Sequence, residues 1–315
     1  MCGGRGTICL LRLLTSLQSN LDLRSLLDNW MRADTAQLQP NTSRCPYNCA
    51  FEPWFAELER CQTCGLGRTT AMTRAADHQD YTVLYIDPGE TKRSVRFLER
   101  FLFGRRGYLR GMRPGSLLDV GCGKGLSLDV AENHGWRAHG IDTFEAYGAD
   151  PRIATGSFLE YQAEGLLDCI YMHHSFEHMV DPVVTLSKCA SLIRSGGVLL
   201  IAVPNFGGAW AKVAGANWQY LNVRDHCFHY TIKALSSLLL QAGFEVERCD
   251  TTSAHAPSFA EVYASVHNAF EIWPVRVWPL RSIFYRGTRM MKVPSNAIVD
   301  WLNLGAEIIV LARRQ

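Results

Sequence analysis

The sequence predicts an α/β protein: an open, mostly parallel sheet with helices on both faces. Two stretches carry that prediction. In Ser116-Leu117-Leu118-Asp119-Val120-Gly121-Cys122-Gly123-Lys124-Gly125, the apolar run Leu117 to Val120 is too short for a helix and reads as a buried strand. Alternate glycines then permit a tight turn against which a ligand can lie, and Leu126, Leu128, Val130 and Ala131 open a helix straight out of it. Trp136 to Ile141 reads as a second strand, ending at Asp142. A carboxylate at a strand end about 20 residues beyond a glycine loop is placed to accept ribose hydroxyls.

The remaining elements follow the same alternation. A short third strand lies near Arg152 to Ala154, and a fourth, Asp168 to Met172, ends at His173-His174. A helix over Val180 to Ile193 leads to an apolar fifth strand, Val198 to Val203, stopped by Pro204-Asn205. The helix Ile232 to Ala242 ends at Gly243, followed by a sixth strand, Phe244 to Arg248, and Ala306 to Ala312 is the last. Ahead of the first strand, Thr91 to Leu109 carries Val95, Leu98, Phe101 and Leu102 at helical spacing. The loop departs from the dinucleotide pattern, since Leu126 stands where G-x-G-x-x-G needs glycine. Gly123-Lys124-Gly125 is not a phosphate-binding Walker loop either.

Four motifs in order resemble class I S-adenosylmethionine-dependent methyltransferases of the small-molecule branch. They are Leu118 to Gly125, Asp142, His174-Ser175-Phe176-Glu177-His178-Met179-Val180-Asp181-Pro182, and Arg224-Asp225-His226-Cys227-Phe228-His229-Tyr230-Thr231 followed by Ala242-Gly243-Phe244. The resemblance runs from about Arg113 to Asp250. It implies a Rossmann-like seven-stranded sheet whose last strand inserts antiparallel between the fifth and sixth, and S-adenosylmethionine as cofactor. Asp142 would hold the ribose, Gly121, Cys122, Gly123 and Gly125 would let the cofactor approach the backbone, and Asp119 would attract its ammonium group or else only cap neighbouring backbone amides. Ser157 and Phe158 are adenine candidates, with core packing as the alternative for Phe158. His173 and His174 lie at the strand end where ligands gather. The helix before the first strand would roof the cofactor, with Tyr81 and Tyr85 nearby as lid residues.

A hydroxyl acceptor calls for a general base, and histidine suits neutral pH. His226 ranks first and His229 second, with His174 behind them; any of these could instead be a satisfied structural histidine. Trp218 and Tyr220 would shape the pocket, while Glu177 and His178 are expected to bond backbone at the next helix. Cys45, Cys49, Cys61 and Cys64 form C-x3-C-x11-C-x2-C, two knuckles suited to a tetrahedral structural zinc. The methyltransferases resembled here often carry a similar module. The alternative is a decayed ribbon of ordinary reduced cysteines.

The domain organisation read from these signals is a helical extension over 1–40, with leucines at helical spacing, and a zinc-ribbon-like module over 41–70. A connector with the lid helix occupies 71–112, and the catalytic domain 113–315, interrupted by an insertion at about 251–304. Translation starting at Met31 would make the preceding residues dispensable. From Asn268 to Val293, Trp273, Trp278, Phe284 and Tyr285 alternate with Arg276, Arg281, Arg286, Arg289 and Lys292. That pattern suits an anionic substrate or a membrane surface, or else helices covering the sheet or forming a dimer contact with their arginines solvated.

A net charge of +2 argues against a dedicated nucleic-acid binder. Eleven scattered cysteines fit a reducing, cytoplasmic setting better than a disulfide scaffold. The reading is therefore a methyltransferase acting on a small molecule, most simply at a hydroxyl of a sugar, phenol or natural-product intermediate, with carbon and nitrogen acceptors left open. Competing readings are a catalytically silent cofactor-binding scaffold that docks a partner through the ribbon and, third, a nicotinamide dehydrogenase, which Leu126 disfavours.

Overall fold

Leu117 and Leu118 are neighbours in the strand β4, Ser116–Val120, and face opposite ways into two apolar clusters. The same split runs through β8, Ile193–Pro204: Leu199, Ile201 and Val203 enter one cluster, while Val198, Leu200 and Ala202 enter the other. A strand buried on both faces needs apolar residues at both parities, which explains the continuous apolar run. The computed structural model that shows this describes residues 51–55, 57–70, 88–218, 220–254, 256–267 and 279–315. The N-terminal extension, Cys45, Cys49, Tyr81, Tyr85, Trp273, Arg276 and Trp278 lie outside the described residues.

The large sheet has seven strands in the order β10 (Phe244–Thr252), β11 (Glu307–Arg314), β8, β7 (Leu167–His173), β4, β5 (Arg137–Asp142) and β6 (Ile153–Thr155). Strand β4 pairs in parallel with β5 and with β7. Strand β6 extends one side, and β8 joins β7 on the other. Strand β11 runs antiparallel between β8 and β10, as the resemblance implies. Helices α1, Pro88–Leu102, and α2, Leu126–Asn133, cover one face through Phe101, Leu102, Leu128 and Val130. Helices α3, Pro182–Leu192, and α5, Ile232–Gln241, cover the other through Leu186, Cys189, Leu235 and Leu238.

Helix α1 stops at Leu102, not near Leu109, because the chain turns at Gly104 and Gly107 and folds back, with Leu109 N–H donating to Leu102 O at 2.8 Å. Helix α3 begins where Asp181 accepts from the amides of Val183 and Val184, with Pro182 in the first turn. Between β8 and α5 lie α4, Ala209–Ala214, and the two-residue strand β9, Phe228–His229. The insertion holds α6, Phe259–Val266, α7, Leu280–Met290, and α8, Lys292–Trp301. Phe206, Trp210, Trp218, Ala256 and Val299 form a third apolar cluster beneath them. Among the described residues no helix is long and apolar enough to cross a membrane.

Ahead of the sheet, β1, Phe51–Phe55, β2, Leu58–Cys61, and β3, Gly67–Thr69, make an antiparallel ribbon. Its fourth strand is β9, from the far half of the chain, which pairs with β3 through Gly67↔His229 and Arg68↔Phe228. The approach is close enough to demand glycine: a Cβ on Gly67 would lie 2.9 Å from Phe206 Cε1 and 3.0 Å from His229 Cβ. Cys61, Cys64 and Leu66 are buried in the same cluster as the underside of the large sheet.

Candidate active site

The ligand edge of a parallel sheet is the C-terminal end of its strands. At the end of β4, Gly121, Gly123 and Gly125 all take left-handed φ, between 53° and 76°. A Cβ on Gly121 would meet Ser175 Cβ at 2.7 Å, whereas one on Gly123 would meet nothing within 4 Å. The turn is thus tight beneath and open above. Asp142, half-buried at the end of β5, is fixed by two backbone amides, Gly123 N–H to Oδ2 at 2.9 Å and Phe144 N–H to Oδ1 at 3.0 Å. Each carboxylate oxygen still has acceptor capacity after those bonds.

Asp119 is buried beneath the loop and accepts a bond from Ser127 Oγ in the first turn of α2. Burial raises its carboxyl to about 7; the Ser127 bond works against that rise, and the charge of Asp142 adds to it. Cys122 turns its thiol toward β5, where a Cβ on Gly140 would lie 2.4 Å from Sγ, and burial pushes the thiol up. Its side chain therefore supports the loop from below. Ser157 is exposed, and its Oγ accepts from Leu159 N–H at 3.3 Å. Phe158 is 4% exposed and belongs to the core, the alternative held open for it.

The second half of the edge is made of histidines and carboxylates. His173 ends β7 with its ring near Phe97 and Phe101 of α1, at centroid distances of 6.0 and 5.6 Å. His174 takes a left-handed φ of 53°, which turns its ring between two buried acids. Nδ1 lies 3.1 Å from Glu177 Oε1, and Nε2 lies 3.7 Å from Glu307 Oε1. Burial opposes charge on this imidazole, but the two carboxylates prevail and raise it to about 10. Burial acts to raise Glu177 too, yet His174 holds it below its usual range. Glu177 is thus committed to a side chain, not to backbone as expected. The reason is that the left-handed turn at His174 brings the imidazole under it.

His178 does bond backbone, but in a different place: Nδ1 donates to Asp225 O at 3.0 Å, across to the loop before β9. Cys227 N–H donates to Glu177 O at 2.8 Å, so this loop is tied to the end of β7 at two points. That tether brings His226 to His178, with rings 4.8 Å apart and perpendicular, and sets His229 6.0 Å beyond His226. Both imidazoles are neutral, because burial lowers His226 to about 4 and His229 to about 3. Among the described residues, His226 Nδ1 and Glu177 Oε2 are buried without a hydrogen-bond partner. Glu177, His178 and His226 each bring a ligand atom within 4.8 Å of the others, a donor set able to hold a divalent cation. Trp218 is buried against Phe206 and Tyr220 beside this group.

Thr69 of β3 reaches into the same cluster. Its Oγ1 donates to His226 O at 2.8 Å and lies 3.2 Å from His229 Nε2. A hydroxyl has one proton, so with that proton on His226 O the His229 Nε2 must be the donor. The base-capable atom of His229 is then Nδ1. Thr69 and Glu307 had no motif around them in the sequence; only the β3–β9 pairing and the antiparallel seventh strand place them here.

In the ribbon, Cys61 Sγ accepts from Thr63 N–H at 3.3 Å and Cys64 N–H at 3.4 Å, and Gly65 turns the chain at φ 72°. Burial works to raise the Cys61 thiol, but those amide donors leave it lowered, while burial drives Cys64 to about 12. Cys64 O accepts from Thr231 Oγ1 at 2.6 Å, the residue that caps α5.

The sheet and its helices are of the doubly wound α/β class, with the half-buried Asp142 beside an open glycine turn at the ligand edge. Residues 93–248 match a family described as methyltransferase domain. The chain is similar to the ubiquinone biosynthesis O-methyltransferase of Maricaulis maris, 30% identical over 145 residues, covering 40% of this chain and 57% of that protein. It is also similar to the enzyme of the same name from Caulobacter vibrioides, 31% identical over 117 residues, covering 33% and 46%. The chain thus spans about half the length of these curated relatives. A SAM-dependent methyltransferase structure from Archaeoglobus fulgidus aligns with TM-score 0.44 at 18% identity, covering 71% of this chain and 93% of that one.

Proposed function

We propose that the chain binds S-adenosylmethionine at the Gly121–Gly125 turn and catalyses methyl transfer to a small molecule, in the first instance to a hydroxyl oxygen. The observation that carries this is the open turn with its fixed acid, Asp142, beside a buried cluster of neutral histidines on the same sheet edge. Bound S-adenosylmethionine supplies a sulfonium-activated methyl group. Asp142 holds the ribose hydroxyls, Ser157 and the chain beside it border the adenine, and the turn amides near α2 face the carboxylate tail. Asp119 supports the loop from beneath through Ser127. His173 and His174 close the side toward the acceptor, with His174 held as a cation by Glu177 and Glu307.

On the acceptor side, His226 takes the hydroxyl proton at Nδ1, and Glu177 nearby favours the imidazolium that results. His229, bonded to Thr69, orients the loop and is the second candidate. Trp218 and Tyr220 exclude water, and so favour in-line transfer over hydrolysis. The relatives named as ubiquinone biosynthesis O-methyltransferases favour oxygen among the possible acceptor atoms. We further propose that Cys45, Cys49, Cys61 and Cys64 hold a structural zinc. The amide bonds to Cys61 Sγ and the left-handed Gly65 support a metal knuckle on the Cys61–Cys64 side. Four thiolates leave no open position for chemistry.

The deciding experiment pairs calorimetry with mass spectrometry. Purified protein is expected to bind S-adenosylmethionine and its demethylated product, and not NAD. Incubation with deuteromethyl-labelled cofactor and a metabolite extract is expected to shift the mass of one acceptor. Preferential NAD binding would sink the reading; cofactor binding with no transfer to any acceptor would favour the silent scaffold. Metal analysis well below one zinc per chain would remove the zinc.

A further inference from the structure

The cluster proposed for the acceptor is sealed. His226 is 8% exposed, His229 3% and Glu177 1%, and His226 Nδ1 is buried without a hydrogen-bond partner. A polar atom held in this way gains from any ligand that supplies the missing bond. No acceptor reaches it while the walls stand as they are, so one of them has to part.

The loop over residues 225–231 lies between two walls that hold it unequally. On one side it is tied to the ends of β7 and β8. Cys227 N–H donates to Glu177 O, and the Cys227 thiol donates to His178 O at 3.1 Å. Phe206 N–H donates to Tyr230 O at 2.8 Å, and Phe176 stacks on the buried Tyr230 ring at 5.0 Å. These ties run into the seven-stranded sheet and its core. On the other side stands the ribbon, which meets the loop along β3–β9 through two residue pairs, at the edge of the four-stranded sheet. Thr69 extends that seam, with N–H donating to Cys227 O at 3.1 Å and Oγ1 to His226 O at 2.8 Å. A strand of two residues is shorter than the usual range and has little hold of its own. Such small units open locally at lower cost than a core sheet. Gly67 puts no side chain between Phe206 and His229, so nothing interlocks at that point of the seam. The seam also has a fixed end. Cys61, Cys64 and Leu66 are buried in the main core, and Cys64 O accepts from Thr231 Oγ1.

We infer that the β3–β9 seam is the entrance to the acceptor cluster: the ribbon pivots at its Cys61–Leu66 knuckle, parts from the loop at the Thr69 end to admit the acceptor, and closes over it. This rests on the reading of His226 and His229 as the acceptor side. The test is the rate at which diethyl pyrocarbonate, which acylates neutral imidazole, labels each histidine of the full chain, read by mass spectrometry. In wild-type protein, His226 and His229 are expected to label at least ~10-fold more slowly than the exposed His139, because they react only on opening. Gly67→Ala places a Cβ 2.9 Å from Phe206 Cε1 and 3.0 Å from His229 Cβ. It is expected to raise both rates roughly tenfold and leave His139 unchanged. Thr69→Val removes a seam bond and is expected to raise them roughly fivefold, with Thr69→Ser at the wild-type rate. This second pair decides the matter if Gly67→Ala does not fold. Wild-type His226 labelling as fast as His139 overturns the inference, since the cluster would then already be open. Rates unmoved by Gly67→Ala and Thr69→Val overturn it too, by placing the entrance elsewhere. So does a rise shared by His139, which is general unfolding. Calorimetry with S-adenosylhomocysteine is separate: a wild-type protein that fails to bind it overturns the proposed function, while the labelling rates still decide the seam.

Discussion

Two halves of one sheet edge are built in opposite ways. The half proposed for the cofactor, at the ends of β4, β5 and β6, is mostly backbone: three left-handed glycines and a carboxylate held by amide groups, all within residues 119–160. The half proposed for the acceptor, at the ends of β7 and β8, is side chains from four distant segments: Thr69, His174 to His178, His226 to His229, and Glu307. Backbone geometry tolerates many side chains around it, so the first half can stay constant while the second is re-specified. A binding function with no chemistry would require only the first.

The sharpest way to break this comparison is to remove the proposed base. His226→Ala is expected to lower turnover by ~10²–10⁴-fold with cofactor affinity retained. Single-turnover transfer against pH for His226→Ala and His229→Ala separates the two candidates. A wild-type rate for His226→Ala would move the assignment to His229, or remove the base altogether. His174, ranked third from the sequence, is ruled out because the two carboxylates already hold it protonated, raised to about 10. The reciprocal change, Asp142→Ala, is expected to weaken cofactor binding by roughly 1.5–3 kcal/mol, the scale of a hydrogen bond to a charged group. Calorimetry showing unchanged affinity would mean that Asp142 only ties the turn to β5.

The same contrast decides how much was legible in the sequence. The glycine turn, Asp142 and all seven strands could be read because each is a local pattern of period or spacing. The acceptor cluster could be read only in part. Histidines beside strand ends stood out, but Glu177 pairing with His174, and Glu307 arriving from β11, depend on a left-handed turn and an antiparallel strand end that no local pattern announces. The ribbon was visible as cysteine spacing, yet its completion by β9 brings together residues more than 150 positions apart.

That pairing gives the next expected effect. Thr69→Val keeps the shape of the threonine but removes the donor to His226 O and the acceptor for His229 Nε2. Losing a buried bond of this kind costs about 1–2 kcal/mol, so turnover is expected to fall roughly 5- to 30-fold. Cofactor affinity should not move, and Thr69→Ser should restore the rate, which a purely structural loss would not allow. Full activity in Thr69→Val would show that the ribbon merely abuts the acceptor loop.

The smallest expected effect concerns stability against pH, and the cluster makes its two limbs of opposite origin. His226 and His229 are held neutral, at about 4 and about 3, below an unfolded histidine at about 6.5. On acidification from about 6.5 toward 4 the unfolded chain binds more protons, so their contribution is lost as pH falls. His174 is raised to about 10, and there the folded chain binds more. Its contribution is complete below about 6.5 and is lost as pH rises through 10. Melting temperature is therefore expected to peak near pH 6.5–7 and to fall on both sides of it. His174→Gln should flatten the alkaline limb alone, and His226→Gln the acid limb alone. If both variants flattened the same limb, His174 and His226 would titrate as one group, and Glu177 would be shared between them instead of committed to His174.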